Sequence, residues 1–259
     1  MAVELASRSA RPWWTREDVA LYQGNCLAVL PTLSEKAMCI FADPPYFLSN
    51  GGVTCQAGRR VPVHKGDWDV SMGIEAVHGF NRAWLEACRD ALDPNGTVWV
   101  SGTSHVIFSV GFAMQQLGFK ILNAVTWFKN NAPPNLSCRY FTHSTETVLW
   151  AAPSTRARHK FNYRLMKEMG NGRQMRDVWQ MRAPGPSEKQ FGKHPTQKPL
   201  QLLERIVLAS TDAGDLVLDP FCGSGTTGVA AQRAGRRFIG IEIEKPYLEL
   251  ARQRLLSAP

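Results

Sequence analysis

Leu216-Val217-Leu218-Asp219-Pro220-Phe221-Cys222-Gly223-Ser224-Gly225-Thr226-Thr227-Gly228 reads as a buried strand, a glycine-rich turn and the start of a helix. The next strand, Arg237 to Ile243, carries Glu242 near its end, twenty-three positions after Asp219. Glycines let the backbone turn tightly and come close to a ligand, and an acid closing the following strand is placed to take both hydroxyls of a ribose. Strand, glycines, helix, strand and acid in this order specify a nucleoside site on an open α/β sheet. They leave the nucleoside open, because Gly223-x-Gly225-x-x-Gly228 also matches the dinucleotide pattern of an NAD-dependent oxidoreductase. A P-loop is excluded, since no lysine follows the glycines.

Only one helix, Pro246 to Leu256, follows this unit. The sheet is therefore expected to be completed from the other end of the chain, by the apolar strand Val19 to Gln23 and the strand Ala37 to Ala42. That order predicts a circularly permuted fold that brings Asn25 and the end of the Ala37 strand beside the nucleoside pocket.

The Ala37 strand runs through Ile40-Phe41-Ala42 into Asp43-Pro44-Pro45-Tyr46-Phe47. Neither proline donates a hydrogen bond and each fixes its own φ, so the backbone after Asp43 is stiff and its carbonyls are free to accept. A carboxylate, a carbonyl and an aromatic face side by side suit an exocyclic amine on a flat ring. Asp43 and the Pro44 carbonyl would accept its two N–H bonds while Tyr46 stacks on the ring. The plain alternative is a strand followed by a Pro-Pro turn. With Asp43 on one strand end and Asp219 on another, the pocket is expected to be acidic, which welcomes a cationic ligand and disfavours a pyrophosphate.

Elsewhere, strand and helix alternate. Helices are predicted at Cys26 to Leu33, from Ile74 to the turn Asp93-Pro94-Asn95-Gly96, at Val106 to Leu117, at Leu200 to Ser210 and at Ser224 to Ala234. Strands are predicted at Thr97 to Ser101, Phe119 to Phe128, Thr145 to Ala151 and Asp215 to Asp219. This alternation argues for a mostly parallel sheet with helices on both faces, in one domain spanning residues 1–259. Residues 1–18 read as a loose arm, and 47–70 as an unstructured loop that could close over the site as a flap.

The chain has 259 residues and a net charge of +8. All of that excess lies between 154 and 198, where eleven lysines and arginines face three acids. Residues 154–193 are read as a small basic insertion that contacts a polyanion, because a merely solubilising face mixes both signs. Trp179 within it is expected to pack rather than to wedge between bases. Six cysteines without a C-x-x-C pair suggest a reduced, cytoplasmic protein, and six dispersed histidines offer no metal spacing. No apolar run approaches membrane-spanning length, so no membrane partner is expected.

Taken together, Asp43-Pro44-Pro45-Tyr46, His194-Pro195-Thr196-Gln197-Lys198-Pro199 and Asp219-Pro220-Phe221-x-Gly223-x-Gly225-Thr226 resemble the amino-methylating DNA methyltransferases of the β arrangement, in which the catalytic motif precedes the cofactor motif. The likeness runs from about Leu21 to Leu255. Phe41 to Gly52, Asn135 to Thr147 and Lys193 to Pro199 are also similar to the smaller companion adenine methyltransferases of DpnII-type restriction systems. The resemblance implies a Rossmann-like S-adenosylmethionine-dependent methyltransferase fold, S-adenosylmethionine as donor and DNA as partner. It implies methylation of adenine N6 in GATC, with competence on single strands, and a restriction endonuclease acting on the same site. Homodimers are common among the enzymes it resembles.

It further implies roles for individual residues. Asp43, Pro44, Pro45 and Tyr46 would be catalytic. Asn25 and Cys26 would meet the cofactor's adenine edge, and Glu242 its ribose hydroxyls. Phe221, Gly223, Ser224, Gly225, Thr226 and Thr227 would surround the ribose and methionine, with Asp43 and Asp219 bordering the same pocket. Thr196 and Lys198 would hold the methionine carboxylate, although Lys198 could equally be a surface lysine at a helix start, and His194 reads better as a hydrogen-bonded turn residue. The basic insertion, the loop 47–66 and the neighbourhood of Arg139 and Tyr140 would contact DNA. The absence of a Pro-Cys dipeptide argues against methylation of a cytosine ring carbon, whereas cytosine N4 stays open. So do a nucleic-acid-binding module without chemistry and an RNA substrate.

Overall fold

The computed structural model describes residues 10–47, 53–56, 59–62 and 73–258. Its strands are β1 (Trp14–Arg16), β2 (Val19–Gln23), β3 (Ala37–Ala42), β4 (Val53–Gln56), β5 (Arg59–Pro62), β6 (Leu92–Gly102), β7 (Lys120–Phe128), β8 (Thr145–Ala152), β9 (Val178–Gln180), β10 (Leu216–Asp219) and β11 (Arg237–Glu242). Its helices are α1 (Cys26–Val29), α2 (Ile74–Ala91), α3 (Ile107–Gln116), α4 (Tyr163–Met169), α5 (Leu200–Ser210), α6 (Thr226–Arg233) and α7 (Lys245–Ser257).

Nine strands form one sheet in the order β1-β2-β11-β10-β3-β6-β8-β7-β9. Five consecutive neighbours, β2, β11, β10, β3 and β6, are parallel, and β8 runs antiparallel between β6 and β7. The N-terminal strand β2 pairs with β11, Glu242 lying opposite Gln23, so the permuted order expected from the sequence is the observed one. The central strands are buried almost throughout, and their side chains alternate between two cores. Cys39, Phe41, Trp99 and Val217 pack with Leu202, Leu203, Ile206, Val229 and Leu255 of α5, α6 and α7 on one face. Ile40, Ala42, Val98, Val100 and Leu218 pack with Trp84, Leu85, Val110 and Met114 of α2 and α3 on the other. Each such aliphatic side chain contributes roughly 1.5–3 kcal/mol when fully buried, and the two cores clamp the sheet from both sides.

Several expectations are corrected. The N-terminal arm is loose neither at Trp13, whose N–H donates to the Leu21 carbonyl at 2.7 Å, nor at β1, which pairs antiparallel with β2. Residues 1–9 lie outside the described residues. The helix expected over Cys26 to Leu33 is α1 plus a 3-10 turn at Leu30–Thr32, because Pro31 has no N–H to continue an α ladder. The turn Asp93-Pro94-Asn95-Gly96 is absorbed into β6 as an irregularity in its pairing with β3. Gly96 permits this, since a Cβ there would sit 2.8 Å from the Ala37 carbonyl oxygen. The stretch 47–70 contains a hairpin, β4 with β5, and the remainder of the expected flap lies outside the described residues. The basic segment packs on the main sheet: β9 extends it beside β7, and Met166, Trp179 and Met181 are buried in its core.

Candidate active site

In an open parallel sheet, ligands bind beyond the carboxyl ends of the strands. A cavity of about 220 Å³ opens there, where β2, β11, β10 and β3 end. Asn25, Cys26, Glu242, Phe221 and Gly223 line it from one side. Asp43, Pro44, Pro45 and Tyr46 line it from the adjacent strand end, and Thr196 and His194 close it from the segment before α5. The two motifs, distant in the chain, thus share one space because β3 and β10 are parallel neighbours.

Asp219, Ser224, Gly225, Thr226, Thr227 and Lys198 are not on the cavity wall but behind it. Asp219 accepts from the Phe221 N–H at 3.0 Å and from the Thr227 hydroxyl at 2.5 Å; burial, partly offset by these donors, pushes its carboxyl up to about 7. One guanidinium nitrogen of Arg254 donates to the Ser224 carbonyl, the Ser224 hydroxyl and the Thr226 hydroxyl at 2.7, 2.9 and 2.8 Å. Gly225 takes a φ of +73° and a Cβ on it would meet the Ala251 Cβ at 2.8 Å, so α7 packs directly on the turn. The glycine turn is a buttress for the wall.

Three of its amides are also spent. Cys222 N–H donates to the Ile241 carbonyl at 2.9 Å, Gly223 N–H to Glu242 Oε2 at 2.8 Å and Gly225 N–H to the Cys222 carbonyl at 2.7 Å. A phosphate cradle needs such donors free, so these three amides are withdrawn from one. Glu242 Oε1 also accepts the Glu244 N–H at 2.9 Å, and burial raises its carboxyl above the ordinary value. Each carboxylate oxygen retains a further acceptor position for a hydroxyl. Asn25 Oδ1 caps α1 through the Leu27 N–H at 2.9 Å. Burial pushes the Cys26 thiol up to about 12 and the Cys222 thiol well above its usual value, so neither supplies a thiolate nucleophile.

Asp43 sits in a buried polar cluster. Its Oδ2 accepts from Lys198 Nζ at 2.5 Å and its Oδ1 from the Tyr46 hydroxyl at 2.7 Å. Glu146 of β8 lies 3.7 Å from the same ammonium and accepts from Lys129 Nζ at 2.9 Å. Both Glu146 and Ser101 lie 3.3 Å from the Tyr46 hydroxyl. Burial raises the Asp43 carboxyl despite the pull of Lys198. Burial also opposes the charged forms of Glu146 and Lys198, but Lys198 and Lys129 together hold Glu146 below its ordinary value, while Asp43 and Glu146 hold Lys198 above its own.

Sequence reading missed Glu146 and Ser101, which reach Tyr46 only through the sheet order β3-β6-β8-β7, and Lys129, which reaches Glu146 from β7's end. The available signal for Glu146 was an acid at the mouth of the buried run Val148 to Ala152. Phe80 and Tyr247 also line the cavity, and Phe80 and Trp84 pack on Phe221 at 6.4 and 5.4 Å. As helix residues on an apolar stripe they read as ordinary core.

A family profile described as DNA methylase matches residues 37–253. The chain belongs to this family, the N6/N4 DNA methylases. The methylase is 56% identical over 247 residues to the Type II methyltransferase M2.DpnII of Streptococcus pneumoniae, covering 95% of this chain and 92% of that protein. It is 47% identical over 247 residues to M2.MboI of Moraxella bovis, covering 94% and 90%. Among solved structures, M1.HpyAVI in complex with S-adenosylmethionine matches with a TM-score of 0.70 at 28% identity, over 92% of this chain and 98% of that one. The cytosine-N4-specific PvuII DNA methyltransferase matches with a TM-score of 0.75 at 23% identity, over 96% and 90%, which bears on the fold alone. The expectation of an S-adenosylmethionine-dependent DNA methyltransferase is met.

The methylase's cavity suits that donor chemically. Its wall carries two carboxylates, Asp43 and Glu242, and no lysine or arginine among the described residues, which favours a sulfonium cation and ribose hydroxyls over a phosphate.

Proposed function

We propose that this methyltransferase methylates the N6 amine of adenine within GATC, on a base that is unpaired or flipped out of the duplex. The observation that carries the reading is the single cavity shared by Asp43-Pro44 and the Gly223 turn. The adenine and GATC assignments rest on the motif beginning with Asp43 and on the likeness to M2.DpnII.

Bound S-adenosylmethionine supplies an electrophilic methyl group on a positively charged sulfur. The chain's own task is to make a poor nucleophile attack it. An adenine amine shares its lone pair with the ring, so its nitrogen must pyramidalise before it can react. The Asp43 carboxylate and the Pro44 carbonyl accept its two N–H bonds and turn the lone pair toward the Glu242 side of the cavity. Each Asp43 oxygen already takes one donor in this structure and has room for another. Tyr46 replaces the stacking that the base loses on leaving its neighbours. Methyl transfer releases one amine proton, and Asp43, its affinity for protons raised by burial, is the acceptor in reach. Most of the acceleration comes from in-line positioning and preorganised charge.

In this reading Glu242 takes the ribose hydroxyls, Asn25 and Cys26 the cofactor's adenine edge, Phe221 and Gly223 the ribose and methionine neighbourhood, and Thr196 the methionine carboxylate. Lys198 serves Asp43. Residues 154–193 neutralise DNA phosphates, which makes affinity fall steeply with salt. A cytoplasmic setting, a homodimer and a restriction endonuclease acting on the same site complete the proposal.

The test is sequencing-based mapping of methylated bases on unmethylated DNA exposed to the protein and S-adenosylmethionine. N6-methyladenine confined to GATC is the expected result. N4-methylcytosine, or adenine methylation in an unrelated context, would replace this reading.

A further inference from the structure

The loop between β7 and β8, residues 129–144, presents rings that the cavity does not use. Phe141 is 95% exposed and Tyr140 61%. Tyr140 lies 5.3 Å from His143, which in turn lies 6.4 Å from His105 in the loop after β6. One exposed aromatic needs no explanation; two adjacent ones on a braced loop do. Asn135 is the brace. Its Nδ2 donates to the Tyr140 carbonyl at 2.6 Å, and its Oδ1 accepts from the Ser137 N–H and hydroxyl at 2.9 and 2.8 Å.

The base of the loop is pinned on three sides. Lys129 N–H donates to the Ser144 carbonyl at 2.7 Å, and Lys129 Nζ reaches Glu146 at 2.9 Å. Asn131 Oδ1 accepts the Ala183 N–H of the basic segment at 3.0 Å. Because Glu146 also meets the Tyr46 hydroxyl, the loop springs from a point between the amine-binding corner and the basic segment. Residues 129–144 hold no acid, and with Lys129 committed to Glu146 it is Arg139 beside the two rings that favours a polyanion.

From this placement we propose that Tyr140 and Phe141 form a stacking platform for the unpaired nucleobases that flank the target adenine. The inference rests on the reading of the enzyme as one that acts on an adenine withdrawn from its stack. Such withdrawal strips the neighbouring bases of a stacking partner. Aromatic side chains replace it without regard to sequence, because every base has a π-face. The basic segment then holds phosphates while the platform holds bases.

The experiment compares Tyr140→Ala/Phe141→Ala, Phe141→Trp and Arg139→Ala on an oligonucleotide carrying 2-aminopurine beside the target adenine. Affinity for S-adenosylmethionine reports intact folding; should the double variant lose it, Phe141→Ala alone takes its place. The double variant is expected to bind DNA roughly 5- to 150-fold more weakly while keeping the wild-type slope of affinity against salt. Arg139→Ala is expected to lower that slope by about one. The 2-aminopurine stays quenched with wild type and Phe141→Trp and brightens with the double variant. Unchanged DNA affinity in the double variant, or a loss matched by a lower salt slope, overturns the proposal. So does a change from dimer to monomer in sedimentation that accounts for the whole loss, since the rings would then be a contact between copies. Failure of the wild type to methylate adenine in the same DNA would instead overturn the underlying reading.

Discussion

Lys198 Nζ lies 2.5 Å from Asp43 Oδ2, the lysine buried and the acid 13% exposed, where a strand end from one half of the chain meets a turn from the other. A carboxylate so far withdrawn from water would be hard to keep ionised without such a partner. The ammonium is itself shared with Glu146, so the charge on Asp43 is set by a triad.

Removing the cation leaves an uncompensated buried acid. Lys198→Met is expected to destabilise the fold by about 3–5 kcal/mol and to raise the Asp43 pKa further. Since Asp43 must be ionised to accept the amine N–H bonds, the acid limb of the kcat/KM profile moves to higher pH. A variant with an unmoved limb and a raised KM for S-adenosylmethionine would return Lys198 to the methionine carboxylate.

Glu146→Gln should shift the same limb the other way. Glu146 raises the Asp43 carboxyl and competes for Lys198, so its neutralisation lets the ammonium bear on Asp43 alone. The Asp43 pKa then falls and the acid limb moves to lower pH. Limbs that shift in one direction for both variants would dissolve the triad.

Asp43→Ala deletes one of two amine acceptors but touches no residue on the Asn25 and Glu242 side of the cavity. Methyl transfer should fall by at least about 10²- to 10³-fold while S-adenosylmethionine still binds in calorimetry. Full turnover by this variant would remove Asp43 from the mechanism.

Much of this was legible in the sequence, for identifiable reasons. The ends of β3 and α5 fell where expected, because apolar runs there meet Asp43-Pro44 and Pro199. The meeting of Asp43 with Gly223 followed from the need to complete the sheet with β2. Glu146 was not legible, since its relation to Asp43 depends on an antiparallel strand inserting between β6 and β7, which no local pattern announces. Ser224 to Thr227 look like ligand residues in a motif, yet their hydroxyls face Arg254 and Asp219, partners more than twenty-five positions away or on the preceding strand.

The two glycines Gly225 and Gly235 separate backbone strain from packing. Both have positive φ, +73° and +67°, but a Cβ at Gly235 meets nothing within 4 Å whereas one at Gly225 strikes Ala251. Gly235→Ala should cost about 1–2 kcal/mol in urea unfolding, and Gly225→Ala about 1–3 kcal/mol more. Only the latter should weaken S-adenosylmethionine binding, because it moves α7 and the Arg254 clamp. Equal costs would mean that α7 does not bear on the turn.

Asp219 makes stability depend on pH. Its carboxyl titrates near 7 when folded, against an ordinary value of 3.8. Between these values the folded chain holds a proton that the unfolded chain has lost, so the stability present at low pH declines as pH rises towards 7 and is level beyond it. Asp219→Asn cannot titrate, and its amide can still accept from Phe221 N–H while donating to the Thr227 hydroxyl. Relative to wild type, the variant should therefore gain roughly 1.4 kcal/mol per pH unit, up to about 4 kcal/mol in all. Urea unfolding at pH 5, 6, 7 and 8 measures this difference. Parallel curves across that range would show that Asp219 is ionised in the folded protein throughout, held by Thr227 and the Phe221 amide alone.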